Sequence, residues 1–332
     1  MKKTFLYFCL LFIVQTAFAA DSLYVREQQI PILIDRIDNV LYEMRIPAQK
    51  GDVLNEITIQ IGDNVNLSDI QAIRLFYSGV EAPSRKGEHF SPVTYISSHI
   101  PGNTRKALES YSVRQDEVTA PLSRTVKLTS KQPMLKGINY FWVSIQMKPE
   151  TSLLAKVATT IPNAQINNKP IDITWKGKVD ERHVGIGVRQ AGDDGSAAFR
   201  IPGLVTTNNG TLLGVYDIRY NSSVDLQEKI DIGVSRSTDK GQTWEPMRVA
   251  MTFKQTDGLP HGQNGVGDPS ILVDEKTNTI WVVAAWTHGM GNERAWWNSM
   301  PGMTPDETAQ LMLVKSEDDG KTWSEPINIT SQ

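Results

Sequence analysis

The sequence predicts an all-β protein, an N-terminal β-sandwich followed by the first units of a β-propeller. Three observations carry this reading. Apolar residues alternate with polar ones over short segments, and no helical period of useful length appears. An eight-residue signature is written twice, as STDKGQTW and SEDDGKTW, with its copies 79 positions apart. Between the half that lacks the signature and the half that carries it, glycine and charge cluster from Lys176 to Gly195, as at a boundary.

The first 20 residues stand apart. Lys2 and Lys3 precede an apolar run from Phe5 to Val14, which ends at Ala17-Phe18-Ala19. That is the pattern of a secretory signal with a small-x-small cleavage site. The run is too short to cross a bilayer. Cys9, the single cysteine, lies inside it, so the exported chain is expected to have no disulfide and no thiol chemistry. Export without disulfides fits a bacterial periplasm or cell surface. The 332 residues include 40% hydrophobic and 21% charged ones, an ordinary soluble composition. A net charge of -3 gives no basic excess that would suggest nucleic acid.

Residues 21–180 form the expected sandwich. In NEITIQIG, Ile57, Ile59 and Ile61 share one face and Thr58 and Gln60 the other, which describes a half-buried strand. AIRLFYSG and NYFWVSIQMK read the same way, and PIDITW closes the series. Short strands with polar turns favour an antiparallel sandwich. Residues 190–332 form the second unit. GTLLGVYDIRY and KIDIGVSRS are strands, PSILVDEKTNTIWVVAAW is a hairpin turning near Asp274–Thr279, and QLMLVKS leads into the second signature.

The signature has a mechanical reading. Ser237, Asp239, Gly241, Thr243 and Trp244 recur as Ser316, Asp318, Gly320, Thr322 and Trp323. The aspartate can accept hydrogen bonds from nearby backbone N–H groups, the glycine can supply a positive φ, and the tryptophan can pack back on the sheet. Two copies placed between strands mark equivalent turns of a repeating β-unit. The role expected for Asp239 and Asp318 is structural.

These repeats resemble the Asp boxes of the sialidases (neuraminidases). Phe199–Leu204, FRIPGL, looks like the motif that opens the sialidase catalytic domain, and it stands upstream of the first box as it does there. The preceding part looks like the N-terminal domain of some bacterial, Bacteroides-type sialidases. The resemblance implies a six-bladed propeller and an exo-α-sialidase that releases terminal sialic acid with retention. Its partners would be sialylated glycoproteins, gangliosides and oligosaccharides, and it would need no cofactor. It also implies site residues. Arg200 would be the first of three arginines that clamp the sugar's carboxylate. Arg219 would contact the glycerol or O4 side. Asp225, six residues on, would be the general acid/base, and Asp268 would face the O4 and N-acetyl side. Trp286 is a weaker candidate for the N-acetyl pocket, as is the pair Trp296-Trp297.

The chemistry is consistent with that assignment. A carboxylate on the anomeric carbon calls for fixed guanidinium groups, which pair with it bidentately and stay charged. Arg200 lies in an apolar run, so an anion is expected beside it. Asp217 and Asp231 compete with Asp225 for the acid role, but the latter lies on a loop, where catalytic groups concentrate. A tyrosine nucleophile suits a centre that already bears a carboxylate. After residue 180 only Tyr216 and Tyr220 occur, both too early to match it. The chain is therefore expected to be truncated, to hold about two blades, and to be inactive by itself. Two rival readings are a sialic-acid-binding or adhesion protein on the same scaffold and an Asp-box protein of another function, which would lack FRIP. The five histidines are scattered, and neither H-E-x-x-H, a phosphate loop nor G-x-S-x-G appears, so a metal enzyme is not expected.

Overall fold

The structure, a computed structural model, describes residues 22–27, 29–80, 112–177, 181–289, 291 and 295–332. The expected signal at 1–20 lies outside them. Among the described residues the fold is all-β, apart from three 3-10 turns and one helical turn at Ala295–Asn298.

Two sheets face each other in the N-terminal part. The larger has six strands in the order Asp172–Lys176, Ser22–Glu27, Asn39–Ala48, Gly137–Met147, Ile70–Gly79 and Val113–Thr119. The smaller has four, Lys169–Pro170, Thr159–Ile166, Leu54–Ile61 and Thr125–Thr129. Their inner faces meet in one core that includes Met44, Ile57, Ile59, Ile61, Ile73, Leu75, Phe141 and Val143. The three isoleucines of NEITIQIG are thus buried on one face, as their spacing predicts. A third sheet joins Ile32–Leu33, Arg182–Gly185 and Lys156–Val157.

AIRLFYSG and NYFWVSIQMK differ from expectation. These strands are buried on both faces. They sit at the centre of the six-stranded sheet, and its outer face carries a second small core. There Phe76 and Trp142 stack with centroids 3.7 Å apart, beside Val40. Next to it the buried Arg74 pairs with Glu117 at 2.7 Å and Asp38 at 3.3 Å. A strand covered on both sides loses the alternation that a half-exposed strand shows.

The C-terminal part consists of two four-stranded antiparallel meanders. The first runs Ala198–Thr206, Leu212–Arg219, Ile230–Ser237, Arg248–Met251; the second runs Val266–Asp274, Thr279–Trp286, Gln310–Ser316, Ile327–Asn328. They pack face to face through one core containing Leu213, Val215, Ile232, Val234, Val266, Ile280, Val282 and Val314. Each has the topology of a propeller blade.

The two signatures sit at the same place in each meander, between third and fourth strands, and their hydrogen bonds are alike. Ser237 Oγ donates to Asp239 Oδ1 at 2.8 Å and Ser316 Oγ to Asp318 Oδ1 at 2.8 Å. The Thr243 and Thr322 N–H groups donate to the same oxygens, each at 2.9 Å. Gly241 and Gly320 take φ of 87° and 77°, where a side chain would be strained. Bonds from the Thr243 hydroxyl and N–H hold the Asp239 carboxyl down at about 2. Asp318 is pushed up by partial burial, but matching bonds from Thr322 outweigh this and hold it at about 2. These carboxylates are spent on closing a turn.

The neighbouring Asp319 does a different job. It accepts from Thr207 and Thr211 at 2.6 Å each, and from Arg236 at 3.0 Å, all three in the first meander. The second signature thereby locks the two sheets together.

Candidate active site

The chemistry gathers at the opposite end of the meanders from the signatures. Ser237 pairs with Leu212 at one end of the first sheet, and Ile230 with Arg219 at the other. At about 3.3 Å per residue the seven steps between them amount to roughly 23 Å. That distance separates Asp239 from the FRIP end.

The backbone is bent at this end in both sheets. In the first, pairing with the second strand slips between Arg200 and Gly203; in the second it slips between Gly267 and Ser270. Inside each bulge a residue before proline takes a left-handed conformation: Ile201 at φ 53° before Pro202, and Asp268 at φ 55° before Pro269. Neither is glycine, and pre-proline positions favour extended backbone. A β-branched residue there is strained, at a cost on the order of 1–3 kcal/mol. Bulges re-aim side chains, and here they turn Arg200 and Asp268 outward at adjacent sheet ends.

Arg200 is 43% exposed in its side chain, and the expected anion is beside it. Its Nη1 donates to Asp225 Oδ1 at 2.8 Å and to the Ser223 carbonyl at 3.0 Å. Arg219 Nη1 donates to the same Asp225 oxygen at 2.7 Å. Two guanidinium groups therefore share one oxygen of a half-exposed carboxylate.

Arg219 differs from the expectation of a sugar contact. Its side chain is only 1% exposed, so it lies beneath the site rather than facing it. Besides Asp225 it donates to the carbonyls of Ser223 and Val224, at 3.1 and 2.7 Å. From this position it moulds the Asp225 loop from below. Its counter-charge is Asp217, two residues earlier on the same strand face, at 3.0 Å from Nε and 2.7 Å from Nη2. Asp217 Oδ1 also accepts from the Asp268 backbone N–H at 2.9 Å, tying the bulge of the second sheet to the first. Burial pushes the Asp217 carboxyl up to about 6, against the pull of Arg219 and the Asp268 N–H. Asp217, weighed from sequence as a rival acid, is thus a buried strut. The signal was legible: a charged pair at i and i+2 puts both groups on one face of an otherwise apolar strand.

The base of the loop is pinned by a network that the sequence did not disclose. The hydroxyl of Tyr220 donates to Asp231 Oδ2 at 2.9 Å, and His261 Nε2 lies 2.8 Å from Asp231 Oδ1. Asp231, the second rival acid, is 3% exposed. Burial and the Asp231 charge both push the Tyr220 hydroxyl up. The chain entering the second sheet passes so close that a Cβ at Gly265 would meet the Glu228 carbonyl at 2.2 Å. On the far side the Ala295 N–H, opening the helical turn, donates to the Leu226 carbonyl at 2.9 Å.

Trp286 also departs from expectation. It is 6% exposed and stacks on Phe253 with centroids 4.3 Å apart, inside the shared core. It packs the meanders and offers the surface nothing. Trp297 is 64% exposed. Among the described residues no group of three or more His, Cys, Asp or Glu could hold a metal ion.

Residues 20–170 match the N-terminal domain of BNR-repeat neuraminidase, and residues 201–332 match a BNR repeat-like domain. A Bacteroides fragilis sialidase is 57% identical over the whole of this chain and 62% of its own length. The chain belongs to the BNR-repeat sialidase family. A solved structure, a Hadza microbial sialidase, is similar to this family member with a TM-score of 0.79 at 61% identity, over 93% of this chain and 60% of that one. A Paraclostridium sordellii sialidase is 35% identical over 40% of the chain and 30% of its own length. This sialidase-family chain thus spans about three fifths of the length of the Bacteroides fragilis relative and of the solved structure.

Proposed function

We propose that the protein is an exo-α-sialidase that releases terminal sialic acid from glycoproteins, glycolipids and oligosaccharides. The family supports the reaction class. The observation that carries the site is the convergence of Arg200, Arg219 and Asp225 within 2.8 Å at a pair of strained bulges. Arg200 is half exposed, so an incoming carboxylate can reach it. That carboxylate would take the place of Asp225 on Arg200. Asp225 would remain held by Arg219 and turn its freed side to the glycosidic oxygen. Away from Arg200 it would take up a proton from solvent, give that proton to the leaving alcohol and later recover one from the attacking water. Asp268, exposed on the neighbouring bulge, would face the ring hydroxyls or the acylamino group.

The hydroxyls of Tyr216 and Tyr220 are bound to Ser235 at 2.6 Å and Asp231 at 2.9 Å. Neither is free to act as nucleophile. We read the leader as an export signal that delivers the enzyme to periplasm or cell surface.

The test compares leaving groups in the full-length protein. Asp225→Ala should lower kcat/KM on a natural sialoside by a factor of about 100 to 10,000. An aryl sialoside, whose phenol leaves with little help, should lose far less. Equal losses on both would remove Asp225 from the acid role.

A further inference from the structure

The loop that carries Asp225 has its two ends side by side. It leaves the first sheet after Arg219 and returns at Ile230, which pairs with Arg219. Asp231 pairs with Ile218. Alternation puts Asp231 on the face shared by Ile218 and Tyr220, the reverse of the face that carries Asp217 and Arg219. The loop is therefore held from two sides. Arg219 grips its carbonyls from one, and Tyr220 and Asp231 tie its ends together on the other. Residues 221–229 have no strand or helix of their own, so Asp225 keeps its place only through such holds.

The second hold joins side chains from three segments. Burial and the charge of Asp231 keep the Tyr220 hydroxyl protonated, and it donates to Asp231 Oδ2 at 2.9 Å. Lys229 Nζ caps the Tyr220 ring, 4.5 Å from its centroid. The other carboxylate oxygen, Oδ1, faces His261 Nε2 at 2.8 Å. A carboxylate has no hydrogen to give, so Nε2 carries one and donates it. His261 opens the 3-10 turn His261–Gln263 on the connector between the two meanders. Asn264, 0% exposed, shapes that turn: its amide donates to the carbonyls of Leu259 and Pro260 at 3.0 and 3.2 Å. Asp231 is 3% exposed, so losing either donor leaves a buried carboxylate oxygen unpaired and favours parting of the loop ends.

We infer that His261, acting through Asp231 and Tyr220, is a positioning residue that fixes where Asp225 presents its proton. This rests on Asp225 being the general acid. A shift of about 1 Å caused by a change remote from the chemistry can cost about 100-fold in rate. The cost should fall on substrates that need the proton and spare those that do not.

Kinetics of the full-length protein on sialyllactose and on an aryl sialoside test this. His261→Ala should lower kcat/KM on sialyllactose by about 10- to 100-fold and on the aryl sialoside by less than about threefold, because only the sugar alcohol needs a well-aimed proton to leave. Tyr220→Phe removes the other donor, keeps the ring and should show the same split. His261→Gln returns an N–H near the place of Nε2 and should recover most of the sialyllactose activity. In an Asp225→Ala background, His261→Ala should cost nothing further on sialyllactose, since the group it aims is gone. Equal losses on the two substrates, full additivity with Asp225→Ala, or a Gln variant no better than Ala overturns the inference. So do wild-type kinetics in both His261→Ala and Tyr220→Phe. If Asp225→Ala itself loses equally on both substrates, the acid assignment falls and this one falls with it. A split in Asp225→Ala without one in His261→Ala removes His261 alone.

Discussion

Removing the Asp217 carboxylate should damage the protein more than removing either exposed carboxylate near it. The side chain is 1% exposed and makes three hydrogen bonds, two from Arg219 and one from the Asp268 N–H. Asp217→Ala deletes all three and leaves Arg219 as a buried cation held only by Asp225 and two carbonyls. Breaking a buried pair from one side costs about 3–5 kcal/mol. Asp217→Asn keeps the shape and an acceptor for the Asp268 N–H, so it should cost about half as much. Urea denaturation, with the sandwich and meander transitions fitted separately, measures both. The pH dependence gives a second readout. Burial lifts this carboxyl to about 6 in the folded state, above its unfolded value, so the native state holds the proton more tightly. Its contribution to stability therefore rises as pH falls from about 6 towards 4, and wild type should gain on Asp217→Asn over that window. An Asp217→Ala cost below about 1 kcal/mol, or a difference from Asn that shrinks on acidification, would refute the strut.

Arg200→Lys keeps the charge and loses the planar fork, so kcat/KM on sialosides should fall by about two orders of magnitude or more in the full-length protein while the Tm holds; near-wild-type kinetics would unseat the carboxylate assignment. Trp286→Ala should destabilise the meanders by about 3–5 kcal/mol by calorimetry, and a variant that lost only KM would return Trp286 to the substrate pocket. Asp319→Ala strips Arg236 of its side-chain partner in the second meander and should cost about 3 kcal/mol, whereas Lys240→Ala, at the matching place in the first signature, should be near neutral in the same urea assay. Bonds lower Asp239 and Asp318 to about 2, so their stabilisation is complete above pH 4 and disappears as pH falls to 2; Asp318→Asn should therefore lower the Tm at pH 7 and leave it unchanged near pH 2.

The sequence by itself determined whatever depends on near neighbours. Ile57, Ile59 and Ile61 declared a buried face because strand side chains alternate whatever the partner. The two signatures declared equivalent turns because a serine, an aspartate and a glycine within five positions close the same hydrogen bonds in both copies. Arg200 declared a nearby anion because an arginine in apolar text must have one. Tertiary structure alone decided which anion that is, and it put Asp225 there by folding a loop 25 residues further on back over the strand end. It alone covered both faces of AIRLFYSG and NYFWVSIQMK, because a strand's text does not say whether its second face meets water or Phe76 stacked on Trp142. It sank Arg219 and Trp286 below the surface, since burial depends on what the second meander lays against the first. Asp217, whose spacing from Arg219 was legible, and Asp319, silent as a single letter, became struts between sheets only when a backbone N–H and an arginine from other strands came within 3 Å. Packing between sheets is set by contacts many residues apart, and no local spacing records them.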